Sequence, residues 1–491
     1  MDIMNFETAR LSDALIANAD IIMTDRRFLE REIALWRNSP ERKTQICGYL
    51  YYEGRHDILY RKRTAIGENG EPVTLGNLPN NRIIDNQYAK MVNQKADYIL
   101  GQPFVIRSDN SDYAQQLNKV FGRRFMRTMK AVGKAMYNGG IAWLYPCVDE
   151  DGELIFRAFP AYEILPFWAD SEHTRLDMAV RLYQSLVYEG DILRIVENVE
   201  VYEKDGVSAF VLENGLLKER SGTQKVPYIV ADGASGYGWG KVPLIPIKAN
   251  EREIPLISRV KTLQDGINAM LSDFQNNMQE DSRNTILVLR NYDGENLGEF
   301  RRNLAAYGAV KIRSDSTGGG GVDTLRIEVN SDNYEKILRL MKKSLIENAM
   351  GYDAKDDRLS GSPNQMNIRS MYSDIDLDAN DAETELQAAF DEIIGFVNSY
   401  LSATGKGDFS AQECEIVFNR DMLMDEGAII DCIQKSVGIL SNETLIAQHP
   451  WVDDVESELE RVNAEKSTAE EAYSPFDGQT TSEDVTEDEE F

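Results

Sequence analysis

An α+β fold dominated by helices is what this sequence predicts, on three observations. Apolar residues recur at three-to-four spacing through most of the first 140 residues and in long stretches beyond Pro255, the period of an amphipathic helix. From Ile141 to Ala249 the period shifts toward two, as in half-buried strands. Between Pro255 and Leu401 two helical segments flank a compact strand-rich insert, and a third, unusually long helix follows a Gly/Ser/Pro/Asn loop. That order suggests a tube wall with a projecting tip and a mobile loop, not a catalytic pocket.

The first 60 residues read as helices. Phe28, Ile33, Leu35 and Trp36 supply apolar surface before the break at Ser39-Pro40, and Tyr49, Tyr51 and Tyr52 lie in a second segment. A polar loop with Gly67, Gly70 and Gly76 leads into a helix expected over 80–104, where Ile84, Tyr88, Met91, Val92, Lys95 and Ile99 repeat at helical spacing. Gly101 fits a left-handed helix stop, with Pro103 just behind it. Another helix is expected from about Tyr113 to Asn138, ending at Gly139-Gly140. In the period-two region, Asp151-Gly152, Asp205-Gly206 and Asn214-Gly215 mark hairpin turns. This gives a mixed, mostly antiparallel domain joined to the N-terminal helices.

Beyond Pro255, Leu256, Val260, Leu263, Ile267, Met270, Leu271, Phe274 and Met278 form one helical stripe. Strands are expected at 285–291, 309–314 and 324–329, with a short helix near 299–306 and a flexible STGGGG turn. Ser331 or Asp332 can cap a second helix, which carries Tyr334, Ile337, Leu338, Met341, Leu345 and Ala349 on one face. The third helix, over 367–402, keeps its apolar spacing from Ile368 to Tyr400, roughly 54 Å at 1.5 Å per residue. Such a rod suits a repeated wall element or a spine between domains. The C-terminal part is helical: one helix over 425–440, a short piece from Ser441, and one holding Val455, Leu459 and Val462. Asp453 and Glu456 resemble a capping box for the last.

With 491 residues, 42% hydrophobic and 27% charged, the chain can build two to four domains with real cores. No apolar run approaches a membrane span, and the N-terminal MDIMNFETARLSDAL is acidic and amphipathic, unlike a secretory signal. Cys47, Cys147, Cys414 and Cys432 stand far apart, which favours reduced core thiols. The formal net charge is −29. Residues 453–491 carry fifteen acidic and two basic side chains, so the end of the chain reads as a solvated tail. An acidic protein is not expected to grip nucleic acid tightly.

Catalytic patterns are missing. The run ASGYGWGK (234–241) has Ser235 where a phosphate loop needs its opening Gly and Val242 where it needs Ser or Thr, and VPLIPI follows instead of a helix. Asp374, Asp376, Asp378 and Glu385 match calcium-loop positions, but Ala379 stands where the sharp turn needs Gly. The stripe runs straight through them, so they are expected on a solvated polar helix face. His56, His173 and His449 sit in no metal or nucleophile motif. Asp356-Asp357 could in principle bind Mg²⁺, but no spacing supports it. No enzyme activity, cofactor or metal is expected.

The sequence resembles the portal proteins, or head-to-tail connectors, of long-tailed bacteriophages. The resemblance covers nearly the whole chain and rests on four stretches in order: NNRIIDNQYAKMVNQKADYILGQPF (80–104), the helix–insert–helix block from QDGINAMLSDFQNNMQEDSRNTILVLRNY onward to Tyr334, GSPNQMNIRSMYSDIDLDANDAETELQAAF (361–390), and FNRDMLMDEGAIIDCIQKSVGILSNETLIAQHPWVDDVESELERV (418–462). It implies a portal fold with a wing at 1–254, stem helices at 255–280 and 331–359, and a clip at 281–330. A tunnel loop would follow at 360–372, a long wing or spine helix at 373–408, a helical crown at 409–466 and an acidic disordered tail at 467–491.

The implied function is a ring, commonly of twelve copies, at one capsid vertex in the virion, made in the host cytoplasm. Double-stranded DNA enters through it, driven by the terminase, and later leaves into the tail. Implied partners are further copies, the terminase large subunit, head-completion adaptors, and major capsid and scaffolding proteins, with no membrane. Arg358, Ser362, Asn364, Gln365, Asn367 and Arg369 would face DNA from the tunnel loop. Lys336, Arg339 and Lys343, one face of the second stem helix, would line the lumen or sit on a solvated or intersubunit face. Asn291, Tyr292, Asp293, Glu295, Arg301 and Arg302 would dock terminase or adaptors from the clip. Two other readings compete: a metal-dependent nucleic-acid enzyme using the Asp clusters, and another ring or scaffold protein of the capsid.

Overall fold

The computed structural model describes residues 26–66, 71–74, 78–220, 225–229, 238–281, 286–290, 321–325, 331–353, 365–420, 426–452 and 455–472. They fall into two units, one formed by 1–353 with 372–421 and the other by 354–371 with 422–491. Both helices and antiparallel strands are present, as the apolar periods require.

In the first unit, α1 (Arg26–Arg37) and α2 (Pro40–Tyr52) are separated by Ser39, whose hydroxyl caps α2 through the Arg42 amide at 3.1 Å. Next come β1 (Thr64–Ile66) and β2 (Pro72–Thr74), then α3 (Gln87–Leu100) and β3 (Val105–Arg107). The helix expected over 80–104 therefore starts seven residues late, capped by Asn86, which accepts the Ala89 amide at 2.9 Å. Gly101 is not left-handed: its φ is −73°, and its amide continues the helical ladder to the Asp97 carbonyl. The helix expected over 113–138 is two, α4 (Ser111–Val120) and α5 (Arg123–Gly139). The chain breaks at Phe121-Gly122, where Phe121 turns into a cluster of aromatic rings.

The period-two region makes two antiparallel sheets. One holds β4 (Ile141–Val148), β5 (Leu154–Pro160) and β11 (Ile245–Lys248) in the order β11-β4-β5. The other is five-stranded, β10-β9-β8-β7-β6, from β6 (Ile164–Trp168), β7 (Leu176–Glu189), β8 (Ile192–Tyr202), β9 (Val207–Glu213) and β10 (Leu216–Glu219). Expected turns fall where expected: Asn214 and Gly215 both take positive φ, as a two-residue hairpin loop demands. Leu29, Ile33 and Trp36 of α1 join Val180, Leu182, Val199 and Val201 in one core. At Gly140, with φ +78°, a Cβ would come within 1.9 Å of the Glu253 carbonyl, so only glycine fits. Of the glycine run at 234–241, residues 234–237 lie outside the described residues. Trp239 is buried edge-on against Phe396, a junction and not a phosphate loop.

Beyond the sheets come α6 (Ile257–Asp281), then β12 (Ile286–Arg290) paired antiparallel with β13 (Gly321–Leu325), then α7 (Ser331–Asn348). β13 starts inside the expected glycine turn, and residues 326–329 of the expected strand lie outside the described residues. The expected helix at 299–306 and strand at 309–314 lie outside the described residues. α6 and α7 run antiparallel: Gly266 faces Met341, while the Phe274 and Tyr334 rings are 5.1 Å apart. Then α8 (Gln365–Ala403) spans 39 residues, about 58 Å, and buries Ile375, Ala379, Ala382, Leu386, Ala389, Ile393, Val397 and Tyr400. Its first turns take up residues 365–372 of the expected tunnel loop. β14 (Glu415–Val417) then pairs with β3, so the stretch after 409 opens as a strand on the first unit.

The second unit contains α9 (Glu426–Ser436), α10 (Asn442–Ala447) and α11 (Val455–Ala472). The short piece expected from Ser441 is α10, which Ser441 caps by accepting the Thr444 amide at 3.3 Å. Val437, Ile439, Leu440 and Trp451 are exposed; Asp453 lies outside the described residues. All four cysteines are free thiols, but none is a core residue: three are half-buried and Cys432 is exposed.

Candidate functional site at the stem and spine helices

The apolar stripe expected on α6 accounts for only one of its buried faces. Gln264, Asn268, Ser272 and Asn276 recur every fourth residue and are at most 3% exposed. They bind the extended segment that precedes α3. Asn276 Oδ1 accepts the Asn81 amide at 2.7 Å, Ser272 Oγ that of Ile83 at 2.9 Å, and Asn268 Oδ1 that of Asp85 at 3.0 Å. Gln264 Oε1 accepts the Tyr88 amide at 2.9 Å, while its Nε2 donates to the Asp85 carbonyl at 2.7 Å. The pitches match: two residues of extended chain advance about 6.6 Å and four residues of helix about 6 Å. Alternate amides taken this way cannot enter a helical ladder, which is why residues 80–86 stay extended.

His56 closes the inner side of this ladder. Its Nδ1 accepts from Asn268 Nδ2 at 2.8 Å and its Nε2–H donates to the Tyr51 carbonyl at 3.0 Å. Burial pushes its pKa down, so it sits neutral in a single tautomer, stacked on Tyr51. It is a satisfied core histidine. On the outer side Lys261 contacts Asp57 at 2.6 Å and Asp265 at 2.7 Å. Burial draws the Lys261 pKa down, but hydrogen bonds to Asp265 and Asp57 outweigh it and the net shift is upward. The hydrogen bond from Lys261 holds Asp57 below the usual carboxylate range.

A second junction ties α3, α6 and α8 together. Lys95 of α3, 1% exposed, reaches Asp378 of α8 at 2.6 Å and the Met350 carbonyl at 3.1 Å. Arg259 of α6 holds the other Asp378 oxygen at 3.1 Å. Burial lowers the Lys95 pKa, opposed by the Asp378 charge. Nearby, Asp376 accepts from the Tyr98 hydroxyl at 2.5 Å and pairs with Arg420 at 3.3 Å; Arg420 also reaches Glu383 at 2.6 Å. The acidic run at 373–385 is helical as expected. The expectation that its Asp residues are simply solvated is corrected at Asp376 and Asp378, which neutralise cations from other elements. Among the described residues no group of three or more His, Cys, Asp or Glu is placed to hold a metal ion.

Of the residues expected to face DNA or partners, Lys336, Arg339 and Lys343 fall on exposed turns of α7. Arg339 pairs with Glu335 at 2.8 Å and Lys343 approaches Glu347 at 3.9 Å, i,i+4 contacts that screen both cations within one chain. Their neighbour Lys342 bonds Asp85 at 2.6 Å, tying α7 to the laddered segment. Gln365, Asn367 and Arg369 lie in the first two turns of α8. Arg358, Ser362, Asn364, Asn291, Tyr292, Asp293, Glu295, Arg301 and Arg302 lie outside the described residues. The polar ladder on α6 is no part of the expected apolar stripe. Its signal was there: four short uncharged polar residues four apart, where a solvated face would carry Lys and Glu.

An antiparallel helix pair, α6 and α7, with β12 and β13 between them and the long α8 after it, is the arrangement expected of a head-to-tail connector of the portal class. Residues 36–472 match the family described as phage portal protein, SPP1 Gp6-like, and the chain belongs to that family. It is 30% identical to the portal protein of Bacillus phage SPP1 over 464 residues, covering 93% of this chain and 90% of that protein. It is 26% identical to the portal protein of Clostridium phage phiCD119 over 440 residues, covering 87% and 94%. Among solved structures, the neck of a native GTA particle computed with C12 symmetry aligns at a TM-score of 0.38 and 13% identity, over 74% of this chain and 89% of that one. Portal proteins are structural components of the virion at a capsid vertex. No described helix is long and apolar enough to cross a membrane.

Proposed function

We propose that copies of this chain close into a twelve-membered ring, a passive conduit through which terminase packages double-stranded DNA and from which DNA later enters the tail. Membership of the portal family over residues 36–472 carries the reading. Met278, Ile337 and Leu340 are exposed apolar side chains on the stem helices, and adjacent copies would cover them, as head-to-tail contacts in a closed ring must. The chain's net charge of −29, multiplied around the ring, repels phosphate and lets the duplex slide without adhering. Lys336, Arg339 and Lys343 would interrupt that field weakly, since two of them already have intrachain partners.

In this reading the clip, with Asn291, Tyr292, Asp293, Glu295, Arg301 and Arg302, meets the terminase large subunit and then the head-completion adaptors. The wing and crown meet major capsid and scaffolding proteins during assembly in the host cytoplasm. Residues 360–372 approach the duplex at the narrowest point of the tunnel, with Arg358, Ser362, Asn364, Gln365, Asn367 and Arg369 nearest to it. The chain performs no catalysis of its own. Reversing one charge tests the tunnel assignment: Arg369→Glu is expected to reduce the yield of DNA-filled capsids or the packaged length. Unchanged yield and length would remove Arg369 from the tunnel.

A further inference from the structure

Two helices of the first unit carry unmixed charge of opposite sign. α5 has five basic side chains and no acidic one, in a chain where acidic residues outnumber basic ones 82 to 53. From Tyr372 onward α8 has eight acidic side chains and no basic one. A helix face that only meets water usually alternates the two signs.

On α5, Arg123, Arg127, Lys130 and Lys134 fall within an arc of about 60°, on the side opposite buried Phe125 and Met129. Lys130 pairs with Asp97 at 2.8 Å, while Arg123, Arg127 and Lys134 meet no carboxylate among the described residues. On α8, Asp374, Leu377, Asp381 and Glu385 share the side opposite buried Phe390. Those three carboxylates meet no cation among the described residues. The Phe125 and Phe390 rings lie 6.1 Å apart inside the unit, so each helix turns its charged face away from their shared core.

The spacings match in reverse. Arg123, Arg127 and Lys134 are separated by four and then seven residues; Glu385, Asp381 and Asp374 repeat those steps in descending order. Each set spans about 16 Å of helix. Laid antiparallel, the two helices set Arg123 against Glu385, Arg127 against Asp381 and Lys134 against Asp374. Lys130 falls opposite Asp378, which is turned inward to Lys95 and Arg259. It already holds Asp97, and Leu377, 59% exposed, stands beside that position.

We propose that α5 of one copy docks antiparallel on the outward face of α8 in the next copy. The inference rests on the ring reading above and names one of its interfaces. Contact between two different patches of the same chain is what builds a ring, and opposite charge sets the register of such a contact. Duplex phosphate could answer the basic face alone; the reversed spacing on α8 selects a second copy.

The test uses two charge-reversed variants of the full-length protein, Arg127→Glu/Lys134→Glu and Asp374→Lys/Asp381→Lys. Native mass spectrometry at about 0.15 M ionic strength reads the fraction of chains in rings. Each variant is expected to lower that fraction about tenfold, and the chain carrying all four substitutions is expected to recover it. Rings that persist in both variants would overturn the docking and leave the ring reading standing, whereas a wild-type protein without rings would overturn both. Loss without recovery in the fourfold variant, or loss of DNA retention with rings intact, would equally remove the pairing. A benzophenone amino acid at Leu377 reads the same contact without reversing a charge. It is expected to crosslink two copies through the peptide 123–138; crosslinks only elsewhere, or none, would contradict the proposal.

Discussion

Replacing Asp378 by Ala is expected to destabilise the first unit by about 3–5 kcal/mol, the cost of breaking a buried ion pair from one side. The carboxylate answers Lys95 at 2.6 Å and Arg259 at 3.1 Å, and Lys95 is almost wholly removed from water. Without Asp378 the ammonium keeps only the Met350 carbonyl as a hydrogen-bond acceptor, with the Tyr137 ring 5.5 Å away. Arg259 is about a third exposed and can turn to solvent, so most of the penalty falls on Lys95. The double variant Lys95→Met/Asp378→Leu removes both buried charges and is expected to recover most of the loss. The urea midpoint of the unit's transition measures both. A loss below about 1 kcal/mol for the single variant would mean the pair is solvated in solution.

Phe390→Ala is the second large effect, again about 3–5 kcal/mol. Phe390 is fully buried on α8, with its ring centroid 5.0 Å from Phe104, 6.1 Å from Phe125 and 5.6 Å from Phe418. These rings come from the segment after α3, from α5 and from the strand region after β14, so one cavity loosens four parts of the chain. Phe390→Leu fills most of the volume and is expected to lose roughly half as much. Near-ultraviolet circular dichroism should lose aromatic signal in the alanine variant while helix content is retained. An intact near-ultraviolet spectrum together with an unchanged midpoint would contradict the assignment.

What could be read in the sequence was whatever depends on local period. The stripes of α6, α7 and α8, the hairpins at Gly152 and Gly215 and the short helix beginning at Ser441 depend on neighbours within a few residues. What could not be read depends on partners far along the chain. The start of α3 is set by Gln264, Asn268, Ser272 and Asn276, some 180 residues later, which take the amides that would have begun a longer helix. The break at Phe121 is set by rings at Phe125 and Phe390. Asp378 reads as surface charge until Lys95 and Arg259 are brought to it. The residues expected to face DNA and partners follow from family position alone, because contacts between chains would leave no period within one.

The central claim is closure around a duplex by repetition of one chain. Native mass spectrometry of the purified protein, with negative-stain images of the same sample, tests it most directly. The account predicts a discrete species of about twelve chain masses, imaged as rings with a central hole. A stable single-chain species at micromolar concentration, with no annular particles, would contradict it.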